Sequence, residues 1–273
     1  MIEWNVSPDI FSIGFFTLRW YSLMFILAFF LGYQITRKMM LLEKKPESYA
    51  DQLFIYVFIG TILGARLGHC LFYDPVYYLT NPLEIFMVWK GGLASHGAAI
   101  GILTALYIFA RKKKDVTFLW TVDRVVIVVA LSGFFIRLGN LFNSEIVGRP
   151  TDVPWAFIFL RYETNPVPRH PTQLYEAIAY LLIFILLYQI YRRKQTATES
   201  GLLFGLFLMS VFGFRFFVEF FKEVQESWES SLPLDMGQIL SIPFVLIGIY
   251  LIKNAKPPVP QRQSQSKRKR KKI

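Results

Sequence analysis

Cysteine and charge are both scarce in this sequence. A single cysteine, Cys70, excludes an internal disulfide and leaves too few thiols for a cysteine-rich metal site. Charged residues make up 18% of the 273 residues, whereas a soluble domain typically carries about 25%. Hydrophobic residues reach 54%, and the mean hydropathy is +0.39. The composition excludes an ordinary soluble domain and favours a polytopic membrane protein.

Several familiar motifs are missing as well. The sequence has no HExxH or paired-ligand motif, no GxSxG serine elbow and no glycine pattern of a Rossmann fold or P-loop. We therefore expect no metal site, no cofactor and no nucleic-acid partner. The N-terminus lacks the basic region of a cleavable signal peptide, since Glu3 and Asp9 precede the first apolar run.

Apolar runs long enough to cross a bilayer dominate the rest of the chain. About 20 residues at 1.5 Å per residue span a hydrocarbon core of about 30 Å. These runs predict an all-α fold of seven transmembrane helices at 15–36, 52–73, 92–110, 121–142, 173–191, 201–221 and 235–252. We assign residues 1–255 to one transmembrane catalytic domain, and residues 256–273 to a disordered basic cytoplasmic tail.

Lysine and arginine are distributed unevenly between the two sets of loops. The segments after the first, third and fifth runs carry eleven of them, whereas the opposite segments carry five. Since cytoplasmic loops are enriched in lysine and arginine, this bias predicts an outside N-terminus and a cytoplasmic C-terminus. The basic cluster at 267–272 either binds anionic lipid headgroups or is simply a solvated, topology-setting tail.

Charged and polar residues within the apolar runs fall mostly in the outer half of the predicted membrane. Charge at membrane depth is costly and is usually retained for function. The outer group comprises Arg19, Trp20, Tyr21, Arg66, His69, His96, Arg137, Asn140, Asn143, Glu145, Gln173, Tyr175, Glu176, Arg215 and Glu219. Asp123 and Arg124, at the inner start of the fourth run, are the exceptions. This shared depth predicts a polar cavity that opens towards the outer leaflet.

Arginines from three different runs are the main candidates for binding an anion there. The planar guanidinium of arginine suits phosphate, so Arg66, Arg137 and Arg215 predict a phosphate at headgroup level. Each also has a simpler interpretation. Arg66 could snorkel to the interface, and Arg215 could pair with Glu219 four residues later.

One histidine and a row of glycines carry further hypotheses. His96 stands among small residues at the outer start of the third run, where it could act as a general base or merely begin a helix. Gly60, Gly64 and Gly68 lie on one face of the second run. Their spacing favours close packing against another helix over any chemical role.

Motifs spread along the chain resemble those of the bacterial prolipoprotein diacylglyceryl transferases. The most specific is RLGNLFNSEIVGRP at 137–150. Others are FSIG at 11–14, RWY at 19–21, GAR at 64–66, GGLASHG at 91–97, RHPTQLYE at 169–176, FRFFVEFF at 214–221 and MGQILSIP at 236–243. Two positions depart from the family pattern, because Ile136 replaces a glycine and Leu141 replaces a phenylalanine.

The resemblance implies a seven-span enzyme of the bacterial cytoplasmic (inner) membrane. It would transfer the diacylglyceryl group of phosphatidylglycerol to the lipobox cysteine of a preprolipoprotein signal peptide, forming a thioether and releasing glycerol phosphate. On this basis Arg137 and Arg215 stabilise the phosphate, and His96 is the candidate base. The remaining candidates bind or position substrate: Tyr21, Arg66, Asn140, Glu145, Gly148, Tyr175 and Glu219.

Two other classes of membrane protein also place polar groups within the bilayer. A lipid or organic-anion transporter would use intramembrane arginines, but alternating access favours sites near the midplane and internal repeats. An intramembrane protease would need a nucleophile and base, or two facing aspartates, and Asp123 has no apparent aspartate partner in the sequence. Both agree less well with the distribution of polar residues than a lipid-modifying enzyme does.

Overall fold

The computed structural model describes residues 1–14, 16–223 and 234–257, without the side chains of Phe16 and Lys90. Its helices are α1 Trp20–Leu42, α2 Ser48–Phe72, α3 Pro75–Thr80, α4 Ser95–Lys112, α5 Phe118–Phe142, α6 Thr172–Lys194, α7 Leu202–Val218 and α8 Met236–Lys253. Its strands are β1 Ile2–Trp4, β2 Asp9–Ile13, β3 Phe16–Arg19, β4 Phe157–Phe159 and β5 Pro168–Arg169. The protein is therefore mostly helical, as predicted.

Six helices in the described ranges are long and apolar enough to cross a membrane: α1, α2, α5, α6, α7 and α8. The predicted span 92–110 corresponds to α4, whose 18 residues include polar or charged side chains at both ends. These residues, Ser95, His96, Arg111 and Lys112, leave α4 without an 18-residue window as apolar as those of the other six. The helices agree with all seven predicted runs in position.

The prediction was wrong about the residues that precede the first helix. Residues 16–19 were assigned to a membrane span, but β2 and β3 form an antiparallel hairpin that ends at Arg19. Gly14 adopts a φ of +59° in the turn, a conformation that glycine reaches without steric cost. A second small sheet places β1 parallel to β4, which also pairs with β5. The prediction of a purely α-helical chain therefore missed five short strands.

The helix α5 is the centre of the bundle. It packs against α1 on one side and α6 on another, and it also contacts α4 and α7. Its buried side chains are mostly β-branched or small, such as Val122, Val125, Val126 and Ala130. Because these side chains are compact, the neighbouring helices can pack closely against α5.

Two charged residues near the start of α5 stabilise the bundle. Arg124 is fully buried and binds the buried carboxylate of Glu43 at 2.9 and 3.2 Å. Asp123 accepts hydrogen bonds from the backbone N–H groups of Gly201 and Phe204 at 2.7 and 2.8 Å. It thereby caps α7 at the end where helical N–H groups have no intrahelical partners. These two exceptions to the outer grouping thus have structural partners.

The glycine row of α2 packs against glycines of α4, as the spacing indicated. A Cβ added at Gly68 would lie 2.6 Å from the Cα of Gly97, and one at Gly64 would lie 2.8 Å from the Cα of Gly101. Side chains at these positions would therefore force the two backbones apart. This is the close helix contact that small residues permit in membrane proteins.

We expect Gly101→Ala to lower the thermal unfolding temperature of the protein in detergent, because its Cβ would collide with the carbonyl of Gly60. Overpacking of this kind costs about 1–3 kcal/mol. Gly213→Ala in α7 is the matched control, since a Cβ there meets no atom within 4 Å. Equal unfolding temperatures for the two variants would contradict this account of the α2–α4 contact.

The predicted tail lies mostly outside the described residues, which end at 257 before its basic cluster. The backbone of Lys256 pairs with that of Ser200, with N···O distances of 2.9 and 3.1 Å. This pairing attaches the end of the described chain to the start of α7.

Candidate active site

A cavity of about 740 Å³ lies among α1, α2, α5 and the ends of α7 and α8. Its lining follows α1 from Tyr21 to Thr36 and α5 from Asn140 back to Val125. Each stretch covers about four helical turns, or about 22 Å along the helix axis. The deeper wall is apolar, and the other end carries Tyr21, Arg137, Asn140, Arg215, Glu219 and Lys222. The charged residues of the cavity thus gather at one end.

Arg137 is the start of a hydrogen-bonded cluster at the end of α5. Its Nη1 donates to Asn140 Oδ1 at 3.1 Å, because residues three apart share a helix face. Asn140 Nδ2 donates to Glu145 Oε1 at 2.6 Å, and Asn143 Nδ2 reaches the same oxygen at 3.3 Å. The signature residues Arg137, Asn140 and Glu145 therefore form one continuous cluster.

A tight turn after α5 brings Glu145 back to the helix end. Ser144 and Ile146 both have positive φ values, 54° and 57°, which are unusual for residues with a Cβ. The Glu145 N–H donates to the carbonyl of Asn140, while Gln173 Nε2 donates to the Glu145 carbonyl at 2.7 Å. Such strained conformations cluster at functional sites, where surrounding contacts hold them in place.

An alternating chain of ion pairs connects the two arginines of the cavity. Arg137 Nε lies 3.1 Å from Glu176 Oε2, and Lys222 Nζ lies 3.2 Å from Glu176 Oε1. Lys222 Nζ also lies 3.1 Å from Glu219 Oε1, which is 3.3 Å from Arg215 Nε. Three cations alternate with two carboxylates in this chain, and Glu145, joined to Arg137 through Asn140, supplies a third carboxylate.

The Arg215–Glu219 pair confirms one of the interpretations drawn from their spacing. It does not remove Arg215 from the cavity, because both residues line its wall and the Arg215 side chain is 39% exposed there. A guanidinium can bind a carboxylate through Nε and still present its terminal nitrogens to a second anion. The pair is therefore compatible with binding of a phosphate.

Tyr21 reaches the cavity across a glycine of α5. A Cβ at Gly139 would lie 2.6 Å from Cδ2 of the Tyr21 ring, so the ring occupies the space of the missing side chain. Gly133 makes the same arrangement for Tyr180 of α6, which also lines the cavity and interacts with Arg137. Two aromatic rings are thus packed against glycines of the helix that carries Arg137.

Gly148 and Tyr175 do not line the cavity, but both contact His170 in a wall that adjoins Lys222. The Gly148 N–H donates to the carbonyl of His170 at 2.9 Å, and its backbone forms a bridge with Lys222. Tyr175 Oη lies 3.1 Å from His170 Nδ1 and accepts from Trp155 Nε1 at 2.8 Å. Burial lowers the pKa of His170, which favours the neutral imidazole. Gly148 therefore links this wall to the segment that carries Lys222.

Five predicted site residues do not line the cavity. Glu145, Gly148 and Tyr175 belong to the contacts described above, and His96 and Arg66 lie elsewhere. His96 is exposed at the start of α4, and its ring stacks on Tyr73, with 5.9 Å between centroids. Tyr73 itself lines the cavity. Arg66 is buried and directs its guanidinium to backbone carbonyls of the segment between α2 and α4. The structure thus brings together Arg137, Arg215, Asn140, Glu145, Glu219 and Tyr21.

Two members of the ion chain were given no role at the site from the sequence, although Glu176 was placed in the outer polar group. Glu176 and Lys222 are both buried, and neither is close in sequence to Arg137. For Glu176, the available sequence signal was a carboxylate one turn into an apolar helix. For Lys222, it was the position of a lysine three residues after Glu219. Among the described residues, no three His, Cys, Asp or Glu side chains are grouped so that they could hold a metal ion.

The motifs that form this site match those of one known protein family. The family model described as prolipoprotein diacylglyceryl transferase matches residues 8–253. The chain belongs to the prolipoprotein diacylglyceryl transferase family. The match contains every site residue discussed above and ends before the basic tail.

Curated relatives from three bacteria carry the same name, phosphatidylglycerol–prolipoprotein diacylglyceryl transferase. The protein of Chloroherpeton thalassium is 51% identical over 92% of this chain and 93% of its own length. That of Porphyromonas gingivalis is 47% identical over 96% and 98%, and that of Tolumonas auensis is 46% identical over 92% and 96%. Because the likeness covers almost the full length of each protein, this chain is a transferase of the same family.

Proposed function

We propose that the enzyme transfers the diacylglyceryl group of phosphatidylglycerol to the lipobox cysteine thiol of a preprolipoprotein signal peptide. The products are a thioether-linked diacylglyceryl peptide and glycerol phosphate, and the step precedes signal-peptide cleavage. The observation that carries the proposal is the position of Arg137 and Arg215, from separate helices, on the wall of one membrane-embedded cavity. Family membership supplies the identity of the reaction.

In the proposed reaction, the thiolate sulfur attacks the glycerol carbon that carries the phosphate ester. A carbon–sulfur bond forms, the carbon–oxygen bond breaks, and its electron pair leaves on the phosphate oxygen. Fixed cations in a site of low dielectric constant stabilise charge that develops on a leaving group. The guanidiniums of Arg137 and Arg215 on the cavity wall are suited to this role, and they would face the phosphate.

The other cavity residues are proposed to position the reactants. Asn140 and Glu145 hold Arg137 in one orientation, while Glu219 holds Arg215. Tyr21 forms part of the cavity wall beside them. Gly148 permits the close backbone approach that places Lys222, and Tyr175 supports that wall through His170.

We propose seven spans, with α4 as the seventh, an outside N-terminus and a cytoplasmic C-terminus. The uneven distribution of lysine and arginine supports this orientation, and the close packing of α4 on α2 supports its inclusion in the bundle. The location would be the bacterial cytoplasmic membrane. Both substrates are membrane-embedded, so the lipid and the signal-peptide helix would enter the cavity laterally.

The function is tested with purified full-length protein, phosphatidylglycerol vesicles and a synthetic lipobox peptide. Mass spectrometry is expected to show the peptide gaining the mass of one diacylglyceryl group, with release of glycerol phosphate. A peptide with serine in place of the lipobox cysteine is the control and should remain unmodified. Equal modification of both peptides would contradict the thiol mechanism.

His96 remains the candidate base for the thiol, and His96→Gln tests that role. If His96 takes the thiol proton, the variant should transfer slowly near neutral pH and recover part of its rate at mildly alkaline pH, where more of the peptide is already thiolate. Rates measured across the pH range with the same peptide provide the comparison. A loss that is equal at every pH would instead indicate that His96 acts through its stacking on Tyr73.

A further inference from the structure

The segment between α2 and α4, residues 74–90, presents a set of large apolar side chains at the surface. It comprises α3 and two short 3₁₀ turns, Pro82–Phe86 and Val88–Lys90. We call it the outer segment. Its most exposed apolar residues, each 73–75% accessible, are Val76, Leu79, Leu83, Phe86 and Trp89. Apolar side chains grouped at this exposure mark a surface that contacts lipid or another protein.

The length of α2 places the outer segment at the edge of the hydrocarbon layer. With 25 residues, α2 is about 37 Å long, which exceeds a core of about 30 Å. Its exposed apolar side chains, including Ile59, Leu63, Leu67 and Leu71, lead directly to the outer segment. Tyrosine and tryptophan, which favour the membrane–water interface, occur in the segment at Tyr77, Tyr78 and Trp89. The lipid-facing surface of α2 therefore continues into the segment.

Arg66 fastens the outer segment to α2. Its Nε donates to the carbonyl of Ile85 at 2.9 Å, and Nη1 donates to those of Gly91 and Gly92 at 2.6 and 3.2 Å. Nη2 donates to the carbonyl of Glu84, and the guanidinium lies over the Tyr78 ring at 5.0 Å. Since all three nitrogens bind carbonyls on both sides of the last turn, Arg66 ties the second half of the segment back to α2.

The outer segment begins at the wall of the active-site cavity. Tyr73, the residue immediately before it, lines the cavity and stacks on both His69 and His96. The polar end of the cavity, with Tyr21 and Asn140, is also the end at which Tyr73 and Ser95 line it. A change in the position of the segment would therefore reach the cavity through Tyr73.

We propose that the outer segment lies in the headgroup–acyl boundary of the leaflet beside the cavity, and that Arg66 is the positioning residue that holds it there. The occupant of its apolar surface is the lipid bilayer. This arrangement keeps the cavity entrance next to the lipids from which a membrane-embedded substrate would come. The inference concerns contact with the membrane and not the transfer reaction, so it can fail while the proposed function stands.

The membrane contact is tested with nitroxide labels on full-length protein in vesicles of phosphatidylcholine and phosphatidylglycerol. Leu83→Cys and Phe86→Cys carry the labels, and Asp152→Cys, an exposed polar site on the loop between α5 and α6, is the matched control. Cys70 is 1% exposed, so labelling of the unmodified protein gives the background. We expect labels 83 and 86 to collide with oxygen, relative to a water-soluble nickel chelate, several-fold more often than label 152.

Two results would overturn the membrane contact. One is a collision ratio at positions 83 and 86 equal to that at 152, which would place the segment in water. The other is magnetic coupling between labels on different molecules at high lipid dilution, which would show that a second copy covers the surface. Transfer activity is measured on the same samples, so loss of function is seen separately.

Arg66→Met and Arg66→Lys test the positioning role. In the Leu83→Cys protein, Arg66→Met is expected to increase the mobility of the label several-fold, while Arg66→Lys, which keeps a donor, should change it less. A direct phosphate-binding role would instead lower transfer and leave the mobility of the label unchanged. That outcome would overturn the assignment of Arg66 to the outer segment. If Arg66→Met does not insert into the membrane, the mobility of the label in Arg66→Lys tests the positioning role. The collision ratios of labels 83 and 86 in the protein with Arg66 still test the membrane contact.

Discussion

Replacing Arg137 with alanine is expected to lower the rate of diacylglyceryl transfer by about 100- to 1000-fold, the usual loss when one fixed charge stabiliser is removed. Arg137 lies at the polar end of the cavity, where Asn140 and Glu176 hold it from two directions. The variant would lose the guanidinium and also release Asn140 from one partner. The measurement is the initial rate with saturating peptide, together with the amount of protein inserted in the membrane.

Arg215→Ala should give a loss of similar size, because the two guanidiniums face the same cavity from α5 and α7. Arg161→Ala is the control, since Arg161 is an exposed arginine on the loop between α5 and α6 and lies outside the cavity lining. Its rate should equal that of the unmodified enzyme. Substantial turnover in both cavity variants would mean that the phosphate is held elsewhere, and the proposed mechanism would then be wrong.

Lysine is not expected to replace either arginine fully. An ammonium group is a compact point charge, whereas guanidinium can bind a carboxylate and a phosphate at the same time. The ammonium group of Arg137→Lys could bind either Glu176 or the phosphate leaving group, but not both at once. We therefore expect Arg137→Lys to retain insertion but to transfer well below the unmodified rate.

Local patterns in the sequence predicted the helices and part of the site. Apolar runs located the membrane helices because each run is long enough to satisfy its own backbone hydrogen bonds in lipid. The spacing of Arg137 and Asn140, and of Arg215 and Glu219, predicted pairs that the structure contains. In each case the partners lie within about one helical turn, so no knowledge of the tertiary fold was needed.

Features that depend on distant segments were not predictable in this way. Lys222 lies between Glu176 and Glu219 only because the end of α7 meets the start of α6 and the backbone of Gly148. Arg66 was a candidate for anion binding, since the sequence does not reveal that a following loop turns its carbonyls towards it. The hairpin of β2 and β3 was likewise not predicted, because its apolar side chains resemble the start of a membrane span.

Lys222→Met is expected to be strongly destabilising, because it leaves the carboxylates of Glu176 and Glu219 buried without the cation between them. Lys222 Nζ lies 3.2 Å from Glu176 Oε1 and 3.1 Å from Glu219 Oε1, and all three residues are buried. Removing the sole partner of a buried charge costs about 3–5 kcal/mol, and the cost here should be smaller because each carboxylate keeps one arginine. The measurement is the thermal unfolding temperature in detergent, and Lys194→Met, which removes one partner of the more exposed pair with Glu199, is the control.

A double variant separates charge balance from packing. If loss of the cation shared by the two carboxylates causes the instability, Lys222→Met combined with Glu176→Gln should unfold at a higher temperature than Lys222→Met alone, because a neutral amide costs less to bury than a charge. It should still transfer slowly, since Glu176 also holds Arg137 and the chain between the two arginines would be broken. Recovery of both stability and activity would show that the ion chain is not required to place the arginines. Failure of the second change to restore stability would show that Lys222 acts mainly through packing.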